Sequence, residues 1–240
     1  MKLKEIHEVL ERLSPFELQE SWDNSGLIVG HPEREVERIV VSLDLDVSMI
    51  EAQEEGTLFI VHHPLIFGKL TELDFSRYPA NLIERLIQKR QSLIAMHTNF
   101  DQTHLNRYVF EKILGLVPER EEPFLLEAKV DWSLTELKER LSEAFGPEHF
   151  RVVAPREHIG SVALCTGAGA SLMDRVKAEC FLTGDIKYHD AMKAMSQGLM
   201  IVDIGHWESE RFFGELMAEQ LKNLSISVII APSKNPFTTL

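Results

Sequence analysis

Thr57-Leu-Phe-Ile-Val-His-His-Pro64 is the stretch from which the rest of the chain is read. Its first five residues are uncharged and mostly β-branched or aromatic, which predicts a buried strand. Two imidazoles follow at the strand's end, and Pro64 then breaks the ladder. Imidazole is the commonest protein ligand for transition metals. Successive side chains of a regular strand point to opposite faces, so His62 and His63 cannot both face one ion from such a strand. At a strand end they diverge slightly and could serve two neighbouring ions. The plainer reading is an ordinary pair of histidines at a strand–loop junction.

Two further segments repeat the pattern. Ser92-Leu-Ile-Ala-Met-His-Thr-Asn-Phe-Asp101 is an apolar run that delivers His97, Asn99 and Asp101. Leu199-Met-Ile-Val-Asp-Ile-Gly-His-Trp-Glu-Ser-Glu210 delivers His206 and Glu210. If the chain turns helical at about His206, those two side chains lie on one face, one turn apart. Functional groups of open α/β sheets gather beyond the carboxyl ends of the strands. Three such segments point to a metal site built from His62, His63, Asp101, His206 and Glu210. The set holds three imidazoles and two carboxylates and no thiolate, which excludes a structural zinc site of the cysteine type. Mixed nitrogen and oxygen donors suit Zn, Mn, Fe, Co or Ni alike. Five donors exceed what a single catalytic zinc takes from protein. Two divalent ions sharing a bridging carboxylate, with Glu210 the best candidate, accommodate them.

Five segments, in order, resemble the GTP cyclohydrolase 1 type 2 homologues, also called Nif-three-like dinuclear-metal-centre proteins. They are Ser21-Trp-Asp-Asn-Ser-Gly-Leu-Ile-Val-Gly30, Val61-His-His-Pro-Leu-Ile-Phe67, His97-Thr-Asn-Phe-Asp101, Thr183-Gly-Asp-Ile-Lys-Tyr-His-Asp190 and Gly205-His-Trp-Glu-Ser-Glu210. The resemblance runs from about Met1 to the C-terminus and covers the short form of the family, without an inserted domain. It implies a pair of metal ions on the same five residues, two α/β domains and a ring-shaped homohexamer. The family's name implies opening of the guanine ring of GTP, giving dihydroneopterin triphosphate and formate.

Composition narrows the function. The chain has 240 residues, 44% of them hydrophobic, ample for one large or two small cores. A net charge of −13 argues against a general nucleic-acid binder, whose footprint is a basic patch. It also requires metal cations or local basic residues if the substrate is a nucleotide. Met1 begins the amphipathic Lys2-Leu-Lys-Glu-Ile-His-Glu-Val-Leu10 rather than a secretory apolar region. No apolar stretch reaches the roughly 18 residues needed to span a membrane. A cytoplasmic protein is expected, with Cys165 and Cys180 as reduced core thiols.

Strand and helix signals alternate along the chain, which reads as α/β with mixed sheets. Gly115, Pro118 and Glu119-Arg-Glu-Glu-Pro123 mark a loop and a boundary. The expected halves are residues 1–120, with His62, His63 and Asp101, and residues 124–240, with His206 and Glu210. The metal site is then expected in the cleft between two α/β domains.

Other features have competing readings. Gly167-Ala-Gly-Ala-Ser171 could cradle a phosphate, but a tight turn fits it better. Asn24 could donate to substrate or close a turn. His97 and His189 are candidate proton shuttles. Phe212-Phe-Gly-Glu-Leu-Met217 and Pro236-Phe-Thr-Thr-Leu240 carry apolar residues that either fill the chain's own core or are buried between copies. The expected activity is metal-dependent hydrolysis of a small-molecule nucleotide or related heterocycle. The alternatives are a metal-stabilised scaffold that binds a partner without catalysis, and a ring-shaped nucleic-acid-associated protein.

Overall fold

The computed structural model describes residues 1–146 and 149–238. Thr239 and Leu240, the end of the C-terminal apolar run, lie outside the described residues. In chain order the strands are β1 (Gly26–Val29), β2 (Arg38–Ser42), β3 (Thr57–Val61), β4 (Ser92–Ala95), β5 (Arg120–Glu122), β6 (Leu125–Ser133), β7 (Arg151–Val153), β8 (His158–Leu164), β9 (Cys180–Thr183), β10 (Met200–Asp203) and β11 (Ser227–Ile230). The chain forms two compact α/β units. The first contains Met1–Phe100 and Phe213–Pro236, and the second is built on Asp101–Phe212.

In the first unit the sheet order is β1-β4-β3-β2-β11. The pairs among β4, β3, β2 and β11 are parallel, and β1 joins β4 antiparallel. Every residue of β3 is buried, as its unbroken apolar run predicts. Val40, Phe59 and Val61 pack with Leu82, Ile83 and Leu86 of the helix Ala80–Gln88. The helix Leu3–Leu13 buries Leu3, Ile6 and Leu10, spaced three and four apart. The helix Phe213–Leu221 buries Phe213, Met217 and Leu221 within this unit. Phe213, Leu216 and Met217 therefore fill the chain's own core, the plainer reading of that run, whereas Phe237 of the C-terminal run is 83% exposed.

In the second unit the order is β5-β6-β8-β9-β10-β7, with β8, β9 and β10 parallel and the remaining pairs antiparallel. Ala163, Phe181 and Ile201, on neighbouring strands, pack with Ala194 of the helix Tyr188–Gln197. The charged Arg120-Glu-Glu122, expected as loop, is an edge strand hydrogen-bonded to β6. Arg120 pairs with Glu122 and Glu127, so cross-strand charge rather than apolar alternation holds this edge. Asp101–Leu105 is a π-helical segment that follows the short helix Thr98–Phe100. Cys165 and Cys180 are both buried and free. Burial pushes the Cys180 thiol up to about 12. No helix among the described residues is long and apolar enough to cross a membrane.

Phe181 is fully buried in the central strand of the second sheet. Phe181→Ala is expected to lower unfolding stability by about 3–5 kcal/mol through lost burial and a residual cavity. Urea denaturation checks this; a loss under about 1 kcal/mol, within what tolerated core changes cost, would contradict the packing described.

Candidate metal centre

Parallel register assembles the histidines of the first unit. Val61 on β3 pairs with Ala95 on β4, and the Met96 N–H donates to Val61 O at 2.8 Å. The residues that follow each strand are thus neighbours. His62 follows Val61, and its Nδ1 lies 2.8 Å from Met96 O. A backbone carbonyl only accepts, so this Nδ1 carries the proton and Nε2 of the neutral ring keeps its lone pair. The His63 and His97 rings lie 5.0 Å from the His62 ring, centroid to centroid. Each of the three offers a ring nitrogen within 4.8 Å of the others', so together they could hold a metal ion.

The other two rings are held in the same way. His63 Nδ1 lies 2.7 Å from Asp44 Oδ1, just past the end of β2. His97 Nδ1 lies 2.7 Å from Asp23 Oδ1. The Asp23 side chain is fully buried. It also accepts from Asn24 N at 2.7 Å, Thr98 N at 3.1 Å and the Thr98 hydroxyl. Burial alone would raise the Asp23 carboxyl. The His97 and Thr98 hydrogen bonds overcome it and hold the group well below the usual carboxylate range.

The second unit supplies the carboxylates. β8, β9 and β10 run parallel, with Leu164 beside Leu182 and Thr183 beside Asp203, so the segments after all three emerge at one end of the sheet. Gly167, Asp185 and His206 lie in those segments. The helix His206–Glu210 does begin at His206. Its i, i+4 spacing places His206 Nε2 3.0 Å from Glu210 Oε2. His206 Nδ1 lies 2.7 Å from Asp185 Oδ2. Burial would lower the His206 pKa, but the hydrogen bonds and charges of Glu210 and Asp185 raise it to about 9. Asp101, at the head of the π-helical segment, is buried, and its carboxylate lies within 4.8 Å of Glu210's.

Two buried carboxylates this close repel each other and demand positive charge. The donor set therefore fits divalent cations. In all four histidines an oxygen fixes Nδ1 and directs Nε2 away, the arrangement in which imidazole serves metals. The backbone fits too. A Cβ added to Gly167, at φ +61°, would fall 2.0 Å from Glu210 Oε1 and 3.5 Å from His206 Nε2. The Gly167 turn is thus a close approach of backbone to the candidate ligands. Its amides are already used: Gly167 N donates to Ser209 Oγ at 3.0 Å and Gly169 N to Thr183 Oγ1 at 2.8 Å. Two amides of the Gly167–Ser171 turn are thus spent on side chains of the chain itself.

Other expected residues lie elsewhere. His189 is exposed on the first turn of the helix Tyr188–Gln197, its ring against that of Tyr188. It belongs to no metal-competent group found among the described residues. Asn24 does not close its own turn but ties its loop to that of Ile66, donating from Nδ2 to Ile66 O at 2.8 Å. The sequence reading gives Asp23, Asp44 and Asp185 no role of their own and takes Gly167 only as part of a turn. Asp44 and Asp185 sit just past strand ends, the same positional signal that exposed the histidines.

Comparison with known proteins places the chain. The pattern of the Duf34/NIF3 (NGG1p interacting factor 3) family matches residues 1–236. A Campylobacter jejuni protein named GTP cyclohydrolase 1 type 2 homolog is 44% identical over 99% of both chains. A Helicobacter pylori protein named GTP cyclohydrolase 1 type 2 is 42% identical, covering 98% of this chain and 97% of its own. Reduced HcgD from Methanocaldococcus jannaschii superposes with a TM-score of 0.81 at 26% identity, over 96% of this chain and 97% of that one. A Staphylococcus aureus hypothetical protein shares the fold, with a TM-score of 0.87 at 24% identity over 100% of this chain and 99% of that one. The family match spans both sheets and all five expected ligand positions, and the chain belongs to the Duf34/NIF3 family.

Proposed function

We propose that the chain is a dinuclear metal-dependent hydrolase of a nucleotide or related heterocycle. GTP is the first substrate to try, because relatives covering almost the whole chain carry the name GTP cyclohydrolase 1 type 2. The observation that carries the reading is the common state of His62, His63, His97 and His206, each with Nδ1 bonded to an oxygen. The proposed ligands are His62, His63, Asp101, His206 and Glu210, serving one pair of divalent ions.

When bound, such a pair supplies Lewis acidity and a water of lowered pKa. The protein's own groups do the rest. Met96 O, Asp44 and Asp185 hold the imidazoles in one orientation. Asp101 and Glu210 offset the charge of the cations and position them. His97, oriented by Asp23, accepts a proton at Nε2 as water adds to C8 of the guanine ring, then returns it to the departing ring nitrogen. A second water cleaves the remaining C8–N bond, so that C8 leaves as formate, and the diamine recyclises with the rearranged ribose carbons to the dihydropterin, losing water. His189 is the second candidate for this proton transfer. The proposed assembly is a homohexamer.

The first expected outcome is about two divalent ions per chain after loading with Zn, Mn, Fe, Co or Ni, read by elemental analysis. Gly167→Ala should lower that content, since its Cβ would collide with Glu210. A content near zero in the loaded wild type sinks the proposal.

Removing groups separates catalysis from scaffolding. Glu210→Gln should abolish turnover in a nucleotide screen. His97→Ala should lower kcat by about 10²–10⁴-fold with metal content kept, as expected for a lost acid–base group. If His189→Ala shows that loss and His97→Ala does not, the roles are exchanged. Full activity in Glu210→Gln would refute the catalytic reading.

Assembly has its own test. Light scattering at micromolar concentration should give a mass several times that of the 27.4 kDa chain. A monomer would remove the hexamer from the proposal.

A further inference from the structure

Two large aromatic side chains stand exposed beside the histidines of the first unit. Trp22 is 55% and Phe67 60% accessible. Their ring centroids are 5.6 Å apart at an interplanar angle of 52°. Each centroid lies 6.1 Å from that of His97, at 76°. Exposed Trp and Phe carry a hydration cost that a protein core would have removed.

Their positions are fixed by the backbone beneath them. Trp22 precedes Asp23, whose buried carboxylate accepts from His97, Asn24 and Thr98. Phe67 follows Ile66, whose carbonyl accepts from Asn24 Nδ2 at 2.8 Å. Asn24 therefore ties the two loops together. Its side-chain amide thus braces the backbone that carries Phe67 beside Trp22.

A third ring cannot slide between the two. Inserting one needs about 7 Å between ring planes, twice the usual ~3.5 Å carbon contact. The pair instead forms one aromatic wall with His97 beside it. An aliphatic or purely phosphate ligand gains little from such a wall, whereas a planar heterocycle gains stacking on its full face.

We propose that Trp22, supported by Phe67, is the stacking platform for a purine- or pterin-like ring and sets the substrate class of the site. This deepens the nucleotide-hydrolase reading and rests on it for the identity of the site.

The test titrates metal-loaded protein with guanosine, GTP and inorganic tripolyphosphate by calorimetry. The proteins are the wild type, Trp22→Ala, Trp22→Phe and Phe67→Ala. Trp22→Ala should weaken guanosine and GTP binding by about tenfold, or ~1.4 kcal/mol. Trp22→Phe should retain most of the affinity. Tripolyphosphate binding, metal content and light-scattering mass should not change. The proposal is overturned if Trp22→Ala binds guanosine as the wild type does, or if the wild type binds neither guanosine nor GTP. It is also overturned if tripolyphosphate binding is lost to the same degree, or if the variant alters assembly and leaves ring binding intact. Turnover separates this inference from the reading beneath it. Ring binding that depends on Trp22 with no turnover of any nucleotide sinks the hydrolase alone. Unchanged turnover and KM in Trp22→Ala sink the platform alone.

Discussion

Parallel strand register is the constraint on which the site depends. In a parallel pair, residues at equal register leave the sheet side by side and at the same end. Val61 beside Ala95 makes His62 a neighbour of Met96, and the His62–Met96 O hydrogen bond follows. Thr183 beside Asp203 does the same for Asp185 and His206. A one-residue slip in either pair would turn alternate side chains to the opposite face and break these bonds. The apolar strands are thus a positioning device as well as a core. The apolar run of β3 ends at Val61, which makes His62 the first candidate ligand.

Electrostatics explains why the oxygens around the histidines are so often carboxylates. Asp23, Asp44 and Asp185 each accept from an Nδ1. A carboxylate there makes Nε2 a stronger donor to a cation than a carbonyl would. His62 alone relies on a backbone oxygen, and it is the fully buried ring of the group. A carboxylate at that depth needs several donors around it, as Asp23 has from His97, Asn24 and Thr98. The neutral carbonyl gives the same tautomer without burying a further charge.

Much of this was legible in the sequence. Apolar runs that stop at histidine gave away the strand ends, and the i, i+4 pair His206/Glu210 predicted one helical face. The helices Leu134–Phe145 and Tyr188–Gln197 follow directly from their apolar spacing and terminal signals. What escaped notice depends on non-local partners. β5 is a strand because β6 lies beside it, and its three charged residues carry no period-two pattern. Asp23 serves His97 across 74 positions of chain. The close approach of Gly167 to Glu210 joins two segments distant in the chain, and nothing around either residue announces it. The Asp101–Leu105 π-helical segment is a matter of hydrogen-bond register, which side-chain periodicity does not encode.

The acidic balance of the chain, which at first weighs against a nucleotide, becomes coherent once the carboxylates are located. Asp101 and Glu210 are buried within 4.8 Å of each other, so part of the chain's negative charge is committed to a place where cations are required. Without metal, His206 answers it by holding its proton up to a pKa of about 9. One imidazolium balances one of the two carboxylates. Divalent cations would balance both and leave positive charge over for an anionic ligand, which a surface of lysines and arginines would otherwise have to provide. Net charge describes the long-range field around the molecule, whereas affinity for a phosphorylated substrate is set by the local charge at the site. A net charge of −13 is therefore compatible with an anionic ligand at a site that would hold cations.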